Sequence, residues 1–420
     1  MKKLKVVLIG AGGRGLTYVT EMRKFPEMFE VVAAADPDPT RMQYIIDDFN
    51  IPENMRFTHW KDLLKLGKIA DVAVIATPDR LHYEPAMGAI GLGYDILLEK
   101  PIGVDPKETY AISRLAQQKN IKILICTVLR YTPFFMKLKD LIDEGRVGKI
   151  MSVNHEECVG HEHQSHSFVR GCYCNEGRSS SMILQKSCHD MDILQWLIGK
   201  KCKKIQSYGT LSYFRRENAP EGSPEYCYEG CPDTTCTYNA EKIYYEDVDN
   251  CWYYYARLRG TYEQKRAFFH DLIRNTQMGK CVFKCDNDVV DHQTANILFE
   301  DDVTVTFTMN AFNKGGRWIH IFGTEGEIKG NMNEGKITLF DLRTRKTEEF
   351  ITKAPEGDGH RGGDTGIVDA FYKYVTGMYD GKSVPEIHQT AENHLMCFAA
   401  EESRKTGKTI DFDEYIKCLE

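Results

Sequence analysis

The chain lacks an apolar run of the roughly 20 residues that a helix needs to cross a bilayer. Its start, Met1-Lys-Lys-Leu-Lys, leads into a short apolar stretch that breaks into glycines, not into the long apolar segment of a leader. It also lacks a basic block and an aromatic-studded basic face. Its 54 Lys and Arg are mixed with 61 Asp and Glu, so neither nucleic acid nor membrane is an expected partner. Internal repeats and low-complexity tracts are missing too, which excludes a solenoid. Cysteine is plentiful, with 14 residues. Without a leader, these suit free thiols or metal ligands in a reducing cytoplasm better than disulfides. At 420 residues the chain is longer than one core usually grows, so two domains are expected.

What is present begins at Lys5-Val-Val-Leu-Ile-Gly10-Ala-Gly12-Gly13-Arg14-Gly15, an apolar strand running into Gly-x-Gly-x-x-Gly and then into helix formers. Gly10 permits a tight turn, Gly12 a close approach of backbone to pyrophosphate, and Gly15 close packing of helix on strand; the helix N-terminus offers free N–H donors. A second apolar strand ends in Asp36, about 20 residues on, where a carboxylate accepts from ribose hydroxyls and repels the 2′-phosphate of NADP. NAD is therefore the expected cofactor. Three more dense apolar strands end at Thr77-Pro78, Glu99-Lys100 and Thr127. Strands alternating with helical patterns call for a doubly wound parallel sheet, a Rossmann domain over 1–128, whose ligands lie beyond the carboxyl ends of the strands.

After about residue 150 the pattern changes to long alternating stretches. Gln293–Met309 reads as two strands about an acidic turn, with further strands at Arg317–Gly323 and Gly335–Phe340, as in an antiparallel sheet with one covered face. Helices are expected at 187–197, 367–379 and 389–405. The second domain, 129–420, is thus α+β with a large, open, mostly antiparallel sheet, making the chain α/β overall. Residues 214–242, rich in Tyr, Cys, Pro, Glu and Gly, read as an irregular insertion.

Spread over most of the chain in one order are Gly10-x-Gly12-x-x-Gly15, Ala76-Thr77-Pro78 with His82, Glu99-Lys100-Pro101, Arg130-Tyr-Thr-Pro133, Gly145-x-x-Gly148-x-Ile150, His189-x-x-Asp192 before Trp196-x-x-Gly199, and Gly323-Thr-Glu-Gly326. In this the chain resembles the glucose-fructose oxidoreductase / inositol dehydrogenase (Gfo/Idh/MocA) family. The resemblance implies nicotinamide chemistry on sugars or polyols, and a homodimer or homotetramer formed through the exposed face of the second sheet. It adds Gly13, Arg14, His82 and Arg130 to the cofactor-binding residues Gly10, Gly12, Gly15, Asp36, Thr77, Pro78, Glu99 and Lys100.

Oxidising a secondary alcohol needs a base for the hydroxyl proton and positive charge beside the developing alkoxide. Lys100 suits the charge, with Glu99 and Pro101 fixing the strand end; the resemblance adds contact with the substrate hydroxyl. His189, on a helix between the domains, is the natural base. Polyol-oxidising relatives read Asp-x-Gly-x-His here, whereas this chain reads Gln185-Lys186-Ser187-Cys188-His189. The carboxylate is replaced by Gln185, and Lys186 adds an amine as a third catalytic candidate. Four histidines and an arginine crowd His155-Glu156 and His161–Arg170, a strand-and-loop region by sequence, where some could also bind metal. His166 and Arg170 are chosen for sugar contacts, together with Gln185, Asp192 and His360, the last in the Gly-rich loop Gly359–Asp364. In the insertion, Cys227, Cys231 and Cys236 with one further ligand would make a closed tetrahedral zinc site.

Two enzymatic readings remain. One is an NAD-dependent oxidoreductase acting on a sugar, sugar derivative or cyclitol. The other is a glycoside hydrolase that uses bound NAD in a transient oxidation, elimination, addition and reduction, favoured by the lost carboxylate, Lys186 and the insertion. A dinucleotide-sensing regulator is opposed by intact Lys100 and His189.

Overall fold

The computed structural model describes residues 2–246, 248, 260–355, 360–379 and 383–419; Gly359 of the late Gly-rich loop lies outside them. In the first domain β1 (Leu4–Ile9), β2 (Phe29–Ala35), β3 (Arg56–Phe57), β4 (Val72–Ile75), β5 (Asp95–Leu98) and β6 (Ile123–Ile125) form a parallel sheet in the order β3-β2-β1-β4-β5-β6. The order reverses at β1, so the crevice between the ends of β1 and β4 is the ligand-binding position of a doubly wound sheet. Successive residues of β1 enter opposite cores: Leu4, Val6 and Leu8 one, Val7 and Ile9 the other. Burial on both faces is why these strands are continuously apolar. β3 escaped the sequence reading because two residues carry no periodicity.

The second sheet has nine strands: β7 (Ile150–Cys158), β8 (Cys202–Thr210), β9 (His292–Phe299), β10 (Thr304–Asn310), β11 (Gly316–Gly323), β12 (Gly326–Asn331), β13 (Lys336–Asp341), β14 (Thr347–Ile351) and β15 (Ile410–Asp411). Their order is β14-β13-β12-β11-β7-β10-β9-β8-β15, antiparallel except for β7 beside β10. Inward residues such as Val153, Ile297, Val305, Phe307, Ile321 and Ile337 share one core with the helices Pro133–Asp143, Cys188–Ile198 and Ile387–Thr406. The acidic turn between β9 and β10 is Glu300–Asp302, as its sequence suggests.

Two segments depart from expectation. The helix Gly363–Thr376 packs against the helix Gly13–Arg23 and sends Ile367, Val368 and Phe371 into the core beneath β1, so late sequence completes the first domain. The region 161–170 is helical instead of strand and loop: His161–His163 leads into a π-helix, Gln164–Arg170, a wide turn that tends to occur at functional sites.

Candidate functional site

The glycine loop forms as its spacing requires. Gly10 has φ +91°, and a Cβ there would meet the Ala76 carbonyl oxygen at 2.6 Å; a Cβ on Gly15 would lie 2.0 Å from the Gly10 oxygen. Both positions therefore demand glycine. Around Gly12 and Gly13, by contrast, a Cβ would meet nothing within 4 Å. The helix Gly13–Arg23 starts there without a side-chain cap, leaving donors turned to open space. This is a phosphate cradle, and the residues present fit a dinucleotide. Asp36, buried at the end of β2, accepts from Ala11 N at 2.6 Å and Asp38 N at 2.8 Å. Each oxygen keeps a second lone pair for a ribose hydroxyl. Thr77 lies beside the Gly10 turn, and Pro78 follows it, exposed.

Some residues expected at the cofactor make buried ties within the protein. His82 is wholly buried, its Nδ1 2.6 Å from the Pro101 oxygen and its Nε2 2.7 Å from the Thr77 oxygen. It ties the ends of β4 and β5 together from behind. Glu99 accepts from Arg14 Nε at 2.8 Å and from the Tyr18 hydroxyl at 2.7 Å. Burial pushes its carboxyl up, but Arg14 and Lys100 hold it below the usual range. Arg14 also donates to Asp364 at 2.6 Å, so its guanidinium is spent on the protein. Arg130 donates twice to Asp192, at 2.6 and 2.7 Å, with Asn393 on the same carboxylate at 2.7 Å and the Trp196 ring beside the guanidinium. Arg130 and Asp192, expected at the cofactor and at the substrate, thus form a buried ion pair with each other.

Lys100 leaves the first domain and donates from Nζ to the backbone carbonyl of Gln185 at 2.6 Å, one helical turn before His189. His189 is buried, and its Nδ1 has no partner among the described residues. Burial, then the charges of Lys100, Arg317, His360 and Lys186, push its pKa well below the ordinary value. Burial and these charges therefore favour the neutral form of the imidazole. Lys186 sits 3.5 Å from Glu157 and 3.5 Å from His163 Nδ1; burial lowers its pKa while Glu157 opposes. Burial also drives the His163 pKa well down, followed by the Lys186 charge. Behind them Arg317 pairs with both Glu157 and Asp190, and His155 Nε2 is 2.9 Å from Asp190.

Glu157, Asp190 and Arg317 were missed by sequence reasoning. A signal existed: the alternation from Val153 carries His155 and Glu157 onto the covered face of β7. A charged residue at an inward position needs a buried partner.

The histidine-rich stretch divides. His163 faces Lys186, but His166 turns to the Tyr244 hydroxyl at 2.7 Å, its pKa pushed down to about 3 by burial and then Arg170. Arg170 is fully buried and donates to the carbonyls of Lys280 and Tyr238, each at 2.7 Å. It ties the segments of Tyr238 and Lys280 together, because both carbonyls would be orphaned without it. His360 lies 3.0 Å from Asp364 and 3.3 Å from Arg14, beside the glycine loop. Cys227, Cys231 and Cys236 border one small cavity in the insertion. Among the described residues no three His, Cys, Asp or Glu side chains are gathered closely enough to hold an ion as they stand, in the insertion or in the histidine-rich stretch. No helix among them is long and apolar enough to cross a membrane.

Two family models match the chain: an oxidoreductase family, NAD-binding Rossmann fold, over 4–126, and an oxidoreductase family, C-terminal alpha/beta domain, over 139–412. A putative oxidoreductase, YteT, of Bacillus subtilis is 22% identical over 398 residues, covering 87% of this chain and 88% of that protein. Inositol 2-dehydrogenase of Salmonella typhimurium is 26% identical over 207 residues, 49% of this chain and 57% of that protein. Among solved structures, a levoglucosan dehydrogenase in complex with NADH and levoglucosan aligns with TM-score 0.71 at 18% identity, over 98% of this chain and all of that one. The scyllo-inositol dehydrogenase of Lactobacillus casei with NAD(H) and scyllo-inositol aligns with TM-score 0.66 at 16% identity, over the same shares. At these identities the structures speak for the fold.

Proposed function

The chain belongs to the Gfo/Idh/MocA oxidoreductase family, and from that premise we propose that it transfers a hydride between NAD and a secondary hydroxyl of a sugar, sugar derivative or cyclitol. The observation that carries this reading is the reach of Lys100 across to Gln185, which brings its ammonium to the segment that bears His189 and its unpartnered Nδ1. The printed ligands of the levoglucosan and scyllo-inositol dehydrogenases support the substrate class.

Gly10, Gly12, Gly13, Gly15, Asp36, Thr77 and Pro78 would hold the dinucleotide, and the Asp36 carboxylate favours NAD over NADP by repelling a 2′-phosphate. When bound, NAD supplies the hydride acceptor. His189 takes the hydroxyl proton. Lys100 gives positive charge to the oxygen as that proton leaves. Lys186, set between Glu157 and His163, adds a second amine on the same side and takes the place of the missing carboxylate's proton-handling role. The open face of the second sheet, with Thr294, Asn296, Thr304 and Thr306 outward and Tyr208 exposed, is the surface for a homo-oligomer; light scattering that finds only monomer would refute this.

The test is a panel of sugars, cyclitols and aryl glycosides, each with and without added NAD. Net NADH formation is expected, falling roughly 10²- to 10⁴-fold in Lys100→Met. Aglycone release without net NADH would replace this reading with the transient-redox glycosidase. Binding of NAD with no turnover of any substrate would end both.

A further inference from the structure

The insertion, together with the chain that follows it to residue 285, has little of its own to hold it. Around the described part of 214–285 there are only short helical turns, one helix at Tyr262–Asn275, and two small apolar clusters, one around Phe214, Tyr238 and Phe283, the other around Tyr244, Phe269 and Ile273. Small cores of this size usually need a staple. The cavity between them is bordered by Cys227, Cys231, Cys236 and also Cys281, a thiol distant in sequence.

The backbone is built to bring these four together. Tyr226 and Lys280 form an isolated antiparallel bridge and Cys281 N donates to the Glu225 carbonyl at 2.9 Å, which fixes Cys227 and Cys281 side by side. One turn of helix, Cys227–Glu229, ends at Gly230 with φ +84°, a left-handed reversal that returns Cys231 to the same cavity. A turn in which Asp233 accepts from Thr235 N at 2.9 Å then brings Cys236 back as well. Beside them lies Arg170, with no exposed surface, its Nη2 3.7 Å from Cys227 Sγ and its Nη1 without a partner among the described residues. Among the described residues no carboxylate pairs with it. Thiolates bound to a metal in this cavity would place negative charge beside that guanidinium.

We propose that Cys227, Cys231, Cys236 and Cys281 form a structural tetrathiolate zinc site, with Arg170 as its charge-balancing neighbour. On loading, each of the four S–H groups gives its proton to solvent as an S–Zn bond forms; nothing is oxidised or reduced. Four thiolates around a divalent ion leave two net negative charges, one of which Arg170 offsets. The sulfurs must turn into the cavity to reach the usual Zn–S distance of about 2.3 Å, while the bridge and the Gly230 reversal already hold the chain in place. Soft thiolates in a closed set of four select zinc over hard cations, and no position is left open for substrate.

The experiment is elemental analysis of the full-length wild-type chain after dialysis against metal-free buffer, with thiol titration under native conditions. About one zinc per chain is expected, with four thiols protected until a strong chelator is added. Cys236→Ser and Cys281→Ser should each lower zinc affinity by at least about tenfold, while Cys418→Ser, an exposed thiol outside the insertion, keeps it. A wild-type chain without metal overturns the proposal, as does iron in place of zinc or full retention of zinc by Cys281→Ser. The wild-type stoichiometry decides the matter even if a variant fails to fold.

Discussion

His189 has four cationic or ionisable neighbours, Lys100, Arg317, His360 and Lys186, and these together with burial set its protonation. A base works only when neutral, and a lowered pKa keeps the imidazole neutral as pH falls through the ordinary histidine value of about 6.5. For alcohol oxidation, kcat/KM should therefore show no acid limb near that value. Lys186→Met removes one repelling charge, so any acid limb should move to higher pH in that variant. A wild-type limb centred on the ordinary histidine value would contradict the assignment. Asp190 gives a stability counterpart. Burial pushes its carboxyl up, but Arg317 and His155 outweigh burial and bring the pKa from 3.8 to about 2. The unfolded chain then binds this proton more readily, so the contribution is full above about pH 5 and is lost as pH falls through 4 towards 2; its size is on the order of 2 kcal/mol. The gap in urea midpoint between wild type and Asp190→Asn should narrow between pH 7 and pH 3, and a constant gap would refute the linkage. Lys100 and His189 stand out in sequence because a motif and a residue type agree on them, and the reach of Lys100 to Gln185 brings the first towards the segment that bears the second. Arg14 and Arg130 were legible as important but not as to role, since a cationic side chain near a phosphate site serves a ligand or a carboxylate equally well until the carboxylate's position is known.

Elements were read best where periodicity was long. The strands of the first sheet other than β3, the β9–β10 hairpin and the helix Cys188–Ile198 stood where their apolar spacing placed them. The π-helix Gln164–Arg170 was not legible, because its wider turn has no apolar repeat that sequence rules recognise and its polar residues look like a loop. At this scale a buried ion pair ties the turn Val128–Tyr131 to the helix Cys188–Ile198, made by Arg130 and Asp192 with side chains 6% and 1% exposed. Removing one partner of a buried pair leaves the other charge stranded in the core. Asp192→Ala should therefore cost about 3–5 kcal/mol in a denaturant titration, far more than an exposed pair would. A loss below 1 kcal/mol would mean that water reaches Arg130.

The whole molecule depends on a contact that no local pattern could disclose. Asp364, at the start of the helix Gly363–Thr376, lies 350 residues from Arg14, yet it accepts from that guanidinium at 2.6 and 3.2 Å. Burial pushes the Asp364 carboxyl up; Arg14 and then His360 hold it well below the usual range, and its place in a first helical turn favours the charged form further. The late helix thus clamps the helix that opens behind the glycine loop, and the dinucleotide cradle draws its rigidity from both ends of the chain. Asp364→Asn keeps the shape and removes the charge. Because Arg14 is 30% exposed, solvent screening limits the loss to about 1–3 kcal/mol. The diagnostic readout is hydrogen exchange. Amides of Gly13–Arg23 and Gly363–Thr376 should lose protection together in Asp364→Asn, whereas Asp369→Asn, on the same helix but in an exposed pair with Lys373, should leave both unchanged. If only the late helix loosens, the cradle stands without it and the clamp is not what holds the glycine loop.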